Sequence, residues 1–80
     1  MAREKKLALI LSFEQTIDAM AVEKYCMNNN IPGRIIPVPR EITAGCGLAW
    51  KTMPGEETNL VKNLEDAGLT WSGKYFLMLP

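Results

Sequence analysis

Two prolines, Pro37 and Pro39, constrain the fold more than any other feature of this 80-residue sequence. They lie in an apolar segment from Arg34 to about Arg40 that has the composition of a β-strand. Proline has no backbone N–H, and the N–H groups of alternate strand residues point to the same side. That side cannot donate to a neighbouring strand, whereas Ile36 and Val38 keep N–H groups that point to the other side. The segment is therefore predicted to be an edge strand.

The whole chain is predicted to have the order strand, helix, strand, strand, helix, strand, in which the edge strand is the second strand. The apolar run from Lys6 to Leu11 is predicted to be a first strand that is buried on both faces. Beyond the edge strand we expect a connection from Glu41 to Gly45, a third strand from about Cys46 to Met53, a second helix from roughly Glu56 to Ala67, and a last strand from Lys74 to Leu79.

Capping residues give the limits of the helices. Ser12, with Gln15 three residues later, predicts an N-cap and a capping box for a first helix that continues to about Met27. The run Asn28–Asn30 is expected to end that helix, and Gly68 to follow the second one, since both residue types accept the left-handed conformation. The residues predicted to face the core are Ile17, Met20, Ala21 and Tyr25 in the first helix and Leu60, Val61, Leu64 and Ala67 in the second.

This order of elements predicts a ferredoxin-like βαββαβ sandwich of the α+β class, with antiparallel sheet order 4-1-3-2 and two helices on one face. That topology places the second strand at an edge, as the two prolines independently require. Residues 1–80 are predicted to form a single domain, because the length suits one small core. A core this thin leaves apolar surface that a homo-oligomer, or docking to a larger partner, would cover.

Composition argues against several classes of function. Nine basic residues balance nine acidic ones, so no nucleic-acid-binding surface is expected. No apolar run approaches the about 20 residues of a membrane helix. No signal-peptide core follows the N-terminus, so we expect no membrane association and a cytoplasmic protein. With no histidine and two cysteines, neither a metal site nor a cofactor is expected, and the usual general base is missing. A carrier or binding protein is favoured over an enzyme.

Cys46, flanked by Gly45 and Gly47, is the strongest candidate for a functional group. In the predicted topology the connection before it returns to the end of the sheet where the first helix begins, which places Cys46 near Ser12 and Phe13. Cys46 would then lie close to the positive end of the helix dipole, with Arg40 in the same region. Both influences favour the thiolate, which is the nucleophilic form. The glycines would leave the sulfur accessible to a second sulfur or to a partner.

The residues alone leave other interpretations open. Cys46 can be a small apolar residue, and its glycines can serve only a turn. Cys26 is predicted to fill the core or an interface, because it lies roughly 20 Å along the first helix at about 1.5 Å per residue. The two sulfurs would then be too far apart for a disulfide, which needs Cα atoms within about 7 Å.

The segment from Ile36 to Ala49 resembles a family of small bacterial proteins, the selenium/sulfur carrier protein-like family. The stretch P-V-P-R-x-I-x-x-G-C-G carries the resemblance, and the stretches Leu11–Phe13 and Leu64–Gly68 also fit. The resemblance implies that Cys46 accepts and donates sulfur or selenium, as a persulfide or a selenosulfide. It also implies a cysteine desulfurase or selenocysteine lyase as donor and a separate acceptor protein.

The alternative hypothesis is a ferredoxin-like binding or regulatory module. Such a module could bind a small anion beside Gly45–Gly47, and Cys46 would be incidental. A redox enzyme built on Cys46 is less favoured, because the sequence offers no nearby second cysteine and no histidine.

Overall fold

A four-stranded antiparallel sheet with two helices makes this an α+β protein. The computed structural model describes residues 5–42 and 45–79, so positions 43 and 44 of the predicted connection Glu41–Gly45 lie outside the described residues. The strands are β1 (Lys6–Ser12), β2 (Arg34–Pro37), β3 (Leu48–Thr52) and β4 (Gly73–Leu79). The helices are α1 (Thr16–Asn28) and α2 (Glu57–Asp66), the second preceded by a 3-10 turn at Pro54–Glu56. Within the described ranges, no helix is long and apolar enough to cross a membrane.

The strands are arranged in the order β2-β3-β1-β4, which is the order 4-1-3-2 read from the opposite edge. β1 is central and pairs with both β3 and β4, and β2 pairs with β3. The prediction that the proline-containing strand lies at an edge is confirmed. This strand is shorter than expected, since it ends at Pro37. Val38 nevertheless continues the pairing by donating its N–H to the Gly47 carbonyl oxygen at 2.9 Å.

The predicted ends of both helices are confirmed. Asn30 has φ 56° and Gly68 has φ 73°, the left-handed conformation expected after the last helical residues. In each case the next residue donates its N–H to a carbonyl oxygen five residues back, Ile31 to Cys26 at 2.9 Å and Leu69 to Leu64 at 2.9 Å. These bonds satisfy carbonyl groups that have no partner within the helix.

The predicted start of α1 is wrong. Gln15 is the N-cap residue, with no hydrogen bond from its side chain, and the helix begins at Thr16. Ser12 is instead the last residue of β1, where it lies opposite Ala49 on one side and Gly73 on the other. Pairing with two neighbouring strands extends β1 through Ser12, and this outweighs the local capping preference of serine.

The predicted buried face of α1 is wrong in part: Tyr25 is half-buried and packs against the core, and Ala21 is half-buried, but the other two predicted residues are exposed. Ile17 is 70% exposed and Met20 is 58% exposed. The buried residues of the helix are Ala19, Val22 and Cys26. Apolar residues occur on almost every side of α1, so periodicity could not indicate which side meets the sheet. In α2 the prediction holds for the buried Leu60 and Leu64, whereas Val61 is half-buried and Ala67 is exposed.

Apolar residues pack on both faces of the sheet. On one face, both helices meet the sheet in a main core that contains Leu9, Leu11, Phe13, Ala19, Val22, Cys26, Ile31, Trp50, Leu60 and Leu64. On the other face, a second cluster joins Ala8, Ile10 and Ala49 of the sheet to Ile42 of the connection between β2 and β3. Ile42 is buried, so this connection covers part of the face that the helices leave open.

Candidate functional site

Cys46 lies in a turn immediately before β3, and not within the strand as predicted. Its backbone N–H donates to the carbonyl oxygen of Phe13 at 3.0 Å. Phe13 directly follows β1, so this hydrogen bond joins the β2–β3 connection to the end of the central strand. The predicted placement of Cys46 beside Phe13 is confirmed. The position is set by main-chain atoms, which the sequence does not reveal.

The Cys46 side chain lies between the core and the surface. It is half-buried and packs against the main core, and its Sγ is 4.0 Å from the Leu48 carbonyl oxygen. The sulfur is a free thiol. A thiol sealed in a core could not exchange an atom with another protein unless the fold opened. Cys46 is not sealed in this way.

The two flanking glycines have different roles. Both have positive φ, 89° at Gly45 and 86° at Gly47, a conformation that other residues rarely adopt. A Cβ on Gly45 would lie 1.8 Å from the Phe13 carbonyl oxygen, so this glycine allows the connection to approach the end of β1. A Cβ on Gly47 would have no atom of the described residues within 4 Å, its two chain neighbours apart. Gly47 therefore borders open space, whereas Gly45 is needed for backbone packing.

The N-terminus of α1 lies close to this turn. The helix begins at Thr16, three residues after the Phe13 whose carbonyl binds the Cys46 N–H. A helix N-terminus carries a partial positive charge. Asp18, in the first turn of α1, offsets part of that charge for any anion bound nearby.

Neither Arg40 nor Ser12, the two predicted supporting residues with polar side chains, forms a hydrogen bond with the Cys46 thiol. Arg40 lies in a turn closed by the Ile42 N–H and the Pro39 carbonyl oxygen at 3.0 Å. Its side chain is exposed and makes no hydrogen bond or ion pair with another described residue. Ser12 is fully buried, and its Oγ has no hydrogen-bond partner.

A third connection, which was not predicted from the sequence, reaches the same end of the sheet. Ser72, just before β4, donates its N–H to the Ser12 carbonyl oxygen at 2.7 Å. Its hydroxyl group donates to Glu14 Oε1 at 2.9 Å. The connections before α1, before β3 and before β4 are thus joined beside Cys46. Most of these bonds involve backbone atoms, so no side-chain pattern could have indicated them.

Cys26 lies in a different environment. It is fully buried in the main core under α1, and this burial raises the pKa of its thiol from 9.0 to about 11. The prediction that it fills the core is confirmed. Both cysteines are free thiols. Within residues 5–42 and 45–79, no three His, Cys, Asp or Glu side chains are grouped so that they could hold a metal ion.

Comparison with known proteins identifies the family. The family model described as "Putative Se/S carrier protein-like" matches residues 8–75, a range that includes both helices and Cys46. No curated protein and no solved structure matches the chain. Since the matched range spans well over half of the 80 residues, the chain belongs to the Se/S carrier protein-like family.

Proposed function

We propose that this protein is a single-thiol carrier of sulfur or selenium, in which Cys46 of a ferredoxin-like domain holds the cargo as a persulfide or a selenosulfide. One observation carries the proposal. Cys46 is a partly exposed free thiol at the end of the sheet, and the neighbouring Gly47 borders open space. Membership of the Se/S carrier protein-like family supports the same assignment.

Loading is an exchange between two sulfur compounds. The Cys46 thiolate attacks the terminal sulfur of a persulfide on the donor enzyme, and a new S–S bond forms as the donor's S–S bond breaks. The donor leaves as a thiolate and takes up a proton from water. The transferred atom keeps its oxidation state, so the step needs no oxidant. With a donor that carries a terminal selenium, the same attack forms an S–Se bond on Cys46.

The surroundings of Cys46 suit an anionic cargo. The N-terminus of α1 is close by, and its partial positive charge attracts an anionic group on the cargo. Arg40, exposed in the turn before the site, would supply a cation for the cargo or for a docking partner. Gly47 leaves room for the added atom and for the sulfur of the incoming protein.

The carrier needs two partners and no catalytic machinery of its own. A cysteine desulfurase or a selenocysteine lyase in the cytoplasm would load Cys46. An acceptor protein would then remove the terminal atom by attack of its own thiolate. The protein would work as a stoichiometric shuttle, which agrees with a site made of one thiol, two glycines and main-chain hydrogen bonds.

Intact-mass measurement tests the proposal directly. Reduced wild-type protein is incubated with a cysteine desulfurase and cysteine, beside the variants Cys46→Ala and Cys26→Ala. We expect the wild type and Cys26→Ala to gain the mass of one sulfur atom, and dithiothreitol to remove it. Cys46→Ala should gain none, because its remaining thiol is buried.

Two results would contradict the carrier assignment. One is a sulfur adduct that persists in Cys46→Ala. The other is a wild-type protein that takes up no sulfur while the desulfurase is active on a known acceptor. The second result would favour a binding module in which Cys46 is incidental.

A further inference from the structure

The outer edge of β4 is a second surface with the features of a binding site. β4 pairs with β1 along all seven of its residues, and no other described strand lies on its outer side. An edge strand presents a row of unpaired N–H and C=O groups that can pair with another strand. Lys74 is the single charged residue of β4, and the strand has no proline. The strand thus lacks a proline that would block pairing, and its one lysine is held by an ion pair with Glu57 of the same chain.

The side chains around this edge are apolar and exposed. On the helix side of the sheet, Phe76 is 43% exposed and Met78 is 52% exposed. Leu7, directly opposite Met78 on β1, is 47% exposed. On the other side, Tyr75 and Leu77 are half-buried and extend the second apolar cluster to the edge. The helices leave this end of the sheet uncovered.

We propose that β4 pairs with β4 of a second copy of this chain, in antiparallel orientation, to form a continuous eight-stranded sheet. A two-fold axis pairs a strand with itself, so the same surface serves both subunits. Phe76 is the middle residue of Gly73–Leu79. An axis at Phe76 lets all seven residues of each strand find a partner.

This register makes the strand complementary to itself. Phe76 lies opposite Phe76 of the second copy, and Tyr75 lies opposite Leu77, so apolar residues meet on both faces of the sheet. Lys74 lies opposite Met78, and the two lysines therefore do not face each other. The Lys74 ammonium group keeps its ion pair with Glu57 of its own chain. Charge and side-chain alternation both favour a second copy at this edge.

The exposed area predicts a weak dimer. The three exposed side chains Leu7, Phe76 and Met78 offer roughly 300 Å² per subunit, taking about 200 Å² for each full side chain. With the two backbone edges added, the interface approaches the lower limit of about 1,200 Å² for specific interfaces. We therefore expect dimers at concentrations of tens of micromolar and above.

Charge variants at the two-fold axis test the proposal by sedimentation velocity from about 5 to 500 μM. Phe76→Lys places two lysines opposite each other, and Phe76→Glu places two glutamates there. Each variant alone should weaken dimerisation by roughly tenfold or more. An equimolar mixture should dimerise again, because position 76 then joins a lysine to a glutamate. Met27→Lys, at an exposed methionine on α1, is the matched control and should dimerise as the wild type does.

The mixture also guards against misfolding, since variants that fail to fold would not recover dimerisation on mixing. Circular dichroism of each variant checks the fold independently. A wild-type protein that stays monomeric up to 500 μM would overturn the proposal. So would a dimer that resists both single variants, or a mixture of folded variants that remains monomeric.

Discussion

Cys26 and Cys46 are the two cysteines of one small chain, yet they lie in regions with opposite properties. Cys26 lies in α1, on the side that packs against the sheet, and its side chain is fully buried. Cys46 lies in a turn held by one main-chain hydrogen bond to Phe13, and its side chain is half-buried. The comparison shows that the supporting element, more than the residue type, decides whether a thiol can meet another protein. Three measurements test this difference between the two regions.

Reactivity should differ most. With iodoacetamide at pH 8, Cys46 should be labelled in the folded protein, whereas Cys26 should react only in molecules that have unfolded. A domain of this size has a free energy of unfolding of at least about 4 kcal/mol, which predicts a difference in labelling rate of roughly a thousandfold or more. Peptide mass spectrometry over a time course measures both rates. Equal rates would show that the two regions do not differ as described.

The two glycines beside Cys46 should respond unequally to alanine. Gly45→Ala adds a methyl group 1.8 Å from the Phe13 carbonyl oxygen in a left-handed conformation, and should lower the free energy of unfolding by about 4 kcal/mol. Gly47→Ala has the same conformational penalty but open space around it, and should cost about 1 kcal/mol. Urea unfolding of both variants measures the difference. Equal losses would show that the close approach of Gly45 to Phe13 does not matter.

Alkaline pH should reveal the burial of Cys26. Since burial raises its pKa from 9.0 to about 11, the unfolded chain loses the thiol proton at a lower pH than the folded protein does. The free energy of unfolding should therefore fall between about pH 9 and pH 11, by about 2 kcal/mol from this group. Urea unfolding across this range should show the fall in Cys46→Ala and a smaller one in Cys26→Ala. If removal of Cys26 leaves the profile unchanged, its thiol is not the cause.

Much of the fold could be predicted because some residues leave the backbone little choice. Pro37 and Pro39 exclude pairing on one side of their strand, and the observed sheet places that strand at an edge. Asn30 and Gly68 accept the left-handed conformation, and both helices end there. With the strand order known, Cys46 had to lie near Phe13.

The incorrect predictions concern choices that long-range contacts decide. Ser12 suited an N-cap, but pairing with both Ala49 and Gly73 kept it in β1. Ile17 and Met20 suited a buried face, but α1 has apolar residues on most sides, and its packing against the sheet selected Ala19, Val22 and Cys26. In the same way, the hydrogen bond from the Cys46 N–H to the Phe13 carbonyl oxygen involves only backbone atoms, so the pattern of side chains in the sequence does not predict it.

The burial of Ile42 has a consequence for how the protein can move. The connection that carries Cys46 also places Ile42 over Ala8, Ile10 and Ala49 on the second face of the sheet. Moving this connection away from the sheet would expose that cluster to water, at a free-energy cost of about 25 cal/mol for each Å² of apolar surface exposed. The described residues on either side of the site are thus held in place by the packing of Ile42 and by the hydrogen bond from Cys46 to Phe13. In the proposed transfer, a partner would spend little binding energy on ordering them.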